Sequence, residues 1–118
     1  MLTETKTTTK TNIKNLPEGR VYFTEVGYSD NEPWVEVSRT AKTVTVARVI
    51  TKRDPDWKPN IIPGGFSGHC DNQSEQTWLF DKIEPAYTRT LRITKKGWAL
   101  KGVRFLEERA IKFYDYNF

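Results

Sequence analysis

The sequence predicts an all-β fold: a small SH3-like barrel or β-roll of about six strands with one long inserted loop. Three observations predict it. Short runs of Val, Ile, Thr and aromatic residues recur along most of the chain, divided by turn-forming residues. No stretch has the apolar spacing of an amphipathic helix of useful length. The chain has 118 residues, enough for one domain, and only 36% are hydrophobic while 13% are aromatic, so ring surface must build much of the core.

Residues 1–15 are mostly Thr and Lys. They carry too little apolar surface to offset their ordering entropy, so they are expected to form a flexible arm before a single barrel-like domain over 16–118. If the arm orders, the β propensity of Thr favours an edge strand. Arg20–Val26 is the first strand candidate, followed by a turn at Tyr28–Asn31. Trp34–Ser38 is the second, and Ser38–Lys42 connects it to Lys42–Lys52, where Val44 and Val46 alternate with Thr.

Arg53–Glu75 is the long loop, punctuated by Pro55, Pro59, Pro63, Gly64, Gly65 and Gly68. A loop of this length in a compact domain is usually functional or disordered. Trp57, Ile61, Ile62 and Phe66 argue for order. Thr77–Ile83 and Tyr87–Thr94 are read as two further strands. Lys95-Lys96-Gly97 makes a tight turn into a return strand, Trp98–Val103. Phe105–Ala110 is read as a helical turn or a loop, and Ile111–Phe118 as a final strand.

Charge and composition narrow the function. There are 19 Lys and Arg against 15 Asp and Glu, a net charge of +4. This mild excess permits a polyanionic partner but is weaker than a concentrated nucleic-acid-binding face. No apolar run approaches the roughly 20 residues that span a bilayer, so no membrane partner is expected. The opening MLTETKTTTK lacks the apolar core of a secretory signal. Cys70 is the single cysteine and excludes an intrachain disulfide. Both facts predict a cytoplasmic setting.

The densest chemistry lies between Phe66 and Trp78. Phe66, His69, Asn72, Gln73, Glu75 and Gln76 present a ring, amides and a carboxylate suited to reading the edge of a base or a sugar hydroxyl. The same side chains are equally suited to pinning the loop to its own backbone. Tyr114 or Tyr116 would stack on a base, and Arg104 or Arg109 would meet a phosphate. The glycines could offer amides to an anion, although the spacing is not that of a P-loop. His69 and Cys70 suggest a thiol or metal centre. Neighbours on a strand face opposite ways, and two ligands fall short of a zinc site. No catalytic residue, metal ligand or cofactor is therefore assigned.

Trp57-Lys58-Pro59, Pro63-Gly64-Gly65-Phe66, Gly68-His69-Cys70, Asn72-Gln73, Glu75-Gln76 and Phe113–Phe118 resemble the motifs of a family of small proteins encoded by bacteriophages and prophages. The resemblance spans roughly Val26 to Phe118. It implies a phage origin and a host bacterial cytoplasm, and it carries over no reaction. The expected function is non-enzymatic binding: capture of a nucleotide-like signalling molecule, antagonising host defence. The alternatives are a single-stranded nucleic-acid-binding barrel, a protein–protein inhibitor of a host factor, and an enzyme using Cys70 or His69. The surplus of aromatics would also suit a homo-oligomer interface.

Overall fold

The computed structural model describes residues 9–64 and 68–117. These form eleven strands: β1 (Lys10–Thr11), β2 (Ile13–Lys14), β3 (Tyr22–Val26), β4 (Asn31–Arg39), β5 (Thr43–Arg53), β6 (Ile61–Ile62), β7 (His69–Cys70), β8 (Trp78–Thr94), β9 (Gly97–Leu100), β10 (Val103–Glu107) and β11 (Arg109–Ala110). One 3-10 turn, Gln73–Glu75, is the only helical element among the described residues. The fold is all-β.

Seven strands make the main sheet in the order β2-β8-β5-β4-β3-β10-β9. A further pairing of β8 with β9, Arg92 to Ala99 and Ile93 to Trp98, closes it into a ring. The ring is not a regular barrel, because β8 is long and bent. Ala47 of β5 pairs with Thr88, yet its neighbour Arg48 pairs with Glu84. Pro85, Ala86 and Tyr87 are thus extruded from the ladder, and Pro85 has no N–H to give to it. The predicted strands Thr77–Ile83 and Tyr87–Thr94 are in this way two halves of one strand.

Both faces of the sheet are covered over much of its area. Phe23, Trp34, Val44, Val46, Leu91, Trp98 and Phe105 pack inside the ring. Phe23 meets Trp98 edge-on at 6.3 Å, and Trp34 meets Phe105 at 6.2 Å. Ile13, Tyr22, Val35, Ala47, Val49 and Ala110 form a second cluster on the outside, with Trp78, Phe80 and Ile83 against it. Successive residues such as Tyr22, Phe23 and Thr24 are therefore all buried, and β3 shows no hydrophobic alternation.

Two further expectations are corrected. Phe105–Ala110 is neither a helical turn nor a loop: β10 fills the gap between β3 and β9, and Glu108, at φ 64°, turns the corner into β11. The return strand ends at Leu100, where Lys101 (φ 51°) and Gly102 (φ 83°) form a second tight hairpin. Residues 1–8 of the segment expected to be a flexible arm lie outside the described residues; in its remainder Lys10–Thr11 pairs in parallel with Arg109–Ala110, and Ile13–Lys14 pairs in parallel with Trp78–Leu79, the edge-strand pairing expected of this segment if it orders. Burial of Ile13 in the outer cluster stabilises this pairing.

The tail after Ala110 is not the predicted final strand. Among its described residues, which end at Asn117, only Phe113 bridges in ladder fashion, to Asn31; Phe118 lies outside them. The other backbone N–H groups from Ile111 to Asn117 donate to side chains of Thr24, Asn12, Gln76, Asp30, Gln73 and Asp115. Side-chain acceptors replace a partner strand, so the tail can curve across the bottom of β8.

A candidate ligand-binding cleft

Where β5 ends and β8 begins, the last ladder pairs are Lys52 with Leu79 and Arg53 with Trp78. Beyond them the chains diverge. Asp54–Pro59 runs along one side, and the tail bearing Tyr116 crosses the other. Between them lies a cleft of about 430 Å³ lined by Arg53, Asp54, Pro55, Trp57, Lys58, Pro59, Thr77, Trp78 and Tyr116. This volume is within the usual range for small-molecule sites, about 300–1,000 Å³.

Its walls are aromatic and held in place. The rings of Trp57 and Tyr116 lie 5.6 Å apart, inclined at 43°. Tyr114 supports Tyr116 edge-on at 4.8 Å. The Trp78 indole N–H donates to Gln76 Oε1 at 2.9 Å, and the Lys112 ammonium sits 5.4 Å from the Trp78 ring centre. Trp57 differs: its indole N–H is buried and has no hydrogen-bond partner among the described residues. An unmet buried donor costs about 1–3 kcal/mol.

The floor is a carboxylate with both oxygens occupied. Asp54 Oδ2 accepts from Thr77 Oγ1 at 2.6 Å and pairs with Lys14 Nζ at 2.8 Å, while Oδ1 accepts from the Asp56 N–H at 3.0 Å. The hydrogen bond from Lys14, then those from Thr77 and Asp56, hold its pKa down to about 2. The Lys14 pKa is raised in turn, first by its hydrogen bond to Asp54. Asp54 is buried, ionised and occupied, which suits an anchor for β2 and not a general base. Arg53 and Lys58, at the rim, are exposed and make no ion pair among the described residues.

Of the ten residues singled out in the sequence, nine are described, and among these Tyr116 alone lines this cleft. Gln73, Gln76 and Asn72 stand behind it. Gln73 Oε1 accepts from the Tyr116 N–H at 2.8 Å. Gln76, only 2% exposed, donates to the carbonyls of Gln73 and Tyr114 and accepts from the Tyr114 N–H and the Trp78 indole. All four of its hydrogen-bonding positions are filled within the fold, leaving none for a ligand. Asn72 donates to the Lys58 carbonyl at 2.9 Å and accepts from the Asn60 N–H at 2.8 Å and from the Cys70 thiol. Tyr114 supports the wall.

The others lie elsewhere. Glu75 is exposed on the 3-10 turn, and Arg104 and Arg109 are exposed on β10 and β11. Phe66 lies outside the described residues. His69 is exposed while Cys70 is 2% exposed and donates toward Asn72 Oδ1, so the two occupy opposite sides of β7 and form no dyad. Among the described residues no group of three or more His, Cys, Asp or Glu is placed to hold a metal ion, and no helix is long and apolar enough to cross a membrane.

Sequence reasoning missed Arg53, Asp54, Lys58, Thr77 and Trp78 as a set. The signal that pointed nearest to them was Pro55-Asp56-Trp57-Lys58-Pro59, a rigid, aromatic and basic stretch inside a loop too long to be a mere connection. Comparison with protein families, curated proteins and solved structures finds no match for the chain.

Proposed function

We propose that this chain is a phage-type, non-enzymatic binding protein whose cleft takes a nucleotide-like small molecule, removing a signal used in host defence. One observation carries the proposal: the rings of Trp57, Trp78 and Tyr116 share a cleft with the exposed cations Arg53 and Lys58. A base or similar planar group stacks on such rings, a contact that contributes about 1–3 kcal/mol per base. Guanidinium and ammonium groups at the rim suit a phosphate. An acceptor on the ligand that engaged the Trp57 indole N–H would recover its unmet hydrogen bond.

Binding without catalysis is favoured by the state of the polar groups. Asp54 is tied up by three donors, and Cys70 is buried. The test is calorimetric titration with nucleoside monophosphates, cyclic mononucleotides and cyclic dinucleotides, beside native mass spectrometry of protein purified from bacterial cells. The expected result is saturable binding of one class, weakened about tenfold or more by Arg53→Gln with Lys58→Gln. Absence of binding across the panel, together with a ligand-free native mass, would overturn the proposal.

A further inference from the structure

The opposite end of the long β5–β8 pair carries a second surface, independent of the cleft. Here Thr43 pairs with Arg92, Arg92 with Ala99, and Ala99 with Arg104. Directly paired residues share a face, so this row runs across four strands on one side of the sheet. That side is the outer one, since the neighbours Val44, Leu91, Trp98 and Phe105 all point into the ring core. Arg92 and Arg104 are both exposed, about 10 Å apart across the small Ala99 by the usual strand spacing.

The Thr43–Arg92–Ala99–Arg104 row itself carries no acid. Thr45 and Thr90 are paired on the adjoining row through their hydroxyls, 3.3 Å apart. Lys42, Lys95 and Lys96 project from the two turns at this end, and Lys101 from the β9–β10 turn. None of these six cations makes an ion pair among the described residues. Glu25, which pairs with Phe105 beside Arg104, accepts from the Trp34 indole N–H, and Glu36 and Glu107 are held by Arg39, which also lies over the Trp98 ring at the mouth of the core. These six are among the chain's 19 Lys and Arg, which outnumber its 15 acids.

We infer that this face binds the sugar–phosphate backbone of a nucleic acid. Its chemistry matches a run of phosphates: two arginine forks on a flat platform, hydroxyl donors beside them, and lysines around the rim. No aromatic ring stands in the Thr43–Arg92–Ala99–Arg104 row to stack on bases, so recognition is by charge and is indifferent to sequence. The 11-residue length of β5 separates this face from the cleft, about 30 Å at the usual rise per residue, so the two can be tested apart.

The experiment is fluorescence anisotropy of a short, labelled, mixed-sequence single-stranded DNA, titrated with the full chain over a series of salt concentrations. Phosphatidylserine vesicles form a second arm. Binding should weaken steeply with salt. Arg92→Gln with Arg104→Gln should lower low-salt affinity at least about tenfold and flatten the log–log salt slope by about 0.7 per arginine removed. Both residues are exposed, and an unchanged melting temperature verifies the fold. Arg53→Gln with Lys58→Gln should leave DNA binding intact, which separates failure of this inference from failure of the cleft. No binding at low salt, or undiminished binding by the Arg92/Arg104 variant, would overturn it. Capture of vesicles but not DNA would overturn it in favour of an anionic membrane surface.

Discussion

The side-chain amide of Gln76 grips the backbone of Tyr114 at two points: Nε2 donates to the Tyr114 carbonyl at 3.0 Å, and Oε1 accepts from the Tyr114 N–H at 2.9 Å. This is the pattern by which one strand residue pairs with another. It recurs twice. Asn12 binds the N–H and carbonyl of Lys112, and Asn117 binds those of Cys70. Three amide side chains thus bind the two ends of the chain and the long loop to one another around the base of β8.

Gln76→Ala should destabilise the protein by about 3 kcal/mol, because it strands the Trp78 indole and both polar groups of Tyr114. Gln76→Glu should also be costly, since a carboxylate cannot donate to the Gln73 and Tyr114 carbonyls. Urea denaturation checks both. A variant as stable as the wild type would mean that the amide is not holding the tail.

Asp54 makes stability depend on acid. Its carboxyl, held at about 2 in the folded chain against 3.8 when free, binds its proton less readily folded than unfolded. The contribution is therefore fully present above about pH 5 and is lost as pH falls through 3.8 toward 2. Melting temperatures measured across this window should fall more steeply for the wild type than for Asp54→Asn. Parallel curves would refute the assignment.

The Lys101-Gly102 hairpin offers a stabilising change. Both residues have positive φ, a conformation that suits Asn far better than Lys. Lys101→Asn should raise stability by about 0.5 kcal/mol, whereas Gly102→Ala should lower it by about 1 kcal/mol. Thermal denaturation of the two variants should move in opposite directions.

In the cleft, Tyr116→Ala removes one ring while leaving its backbone N–H to bond Gln73. Ligand affinity should drop by about 1–3 kcal/mol, the usual worth of one stacking ring. Tyr116→Phe should bind nearly as the wild type does. Quenching of the Trp57 and Trp78 fluorescence by the bound ligand gives the readout. Equal affinity in Tyr116→Ala would show that the ligand does not stack on this ring.

Much of the all-β architecture was legible along the chain. The alternation of Val44 and Val46 with Thr marks β5, and Lys95-Lys96-Gly97 marks the turn between β8 and β9. These signals are local: side-chain period, turn residues and proline positions act over a few residues. The polar run from Asn72 to Gln76 was also visible as a set with two uses, pin or pocket, and its residue types alone do not choose between them.

The choice belongs to the tertiary structure, because it depends on which partner each hydrogen-bonding atom meets. Gln76 meets Tyr114, distant in sequence and adjacent in space, and its capacity is spent. The same holds for the cleft. Arg53, Trp57, Trp78 and Tyr116 share no local pattern, and they meet only because the ladder of β5 and β8 ends where the tail crosses. The basic outer face arises likewise, from the register that sets Arg92 beside Ala99 and Ala99 beside Arg104. The sequence by itself determined the strands, the turns and the kinds of chemistry available. Long-range pairing, which no local period encodes, decided which groups are consumed in holding the fold and which stand free.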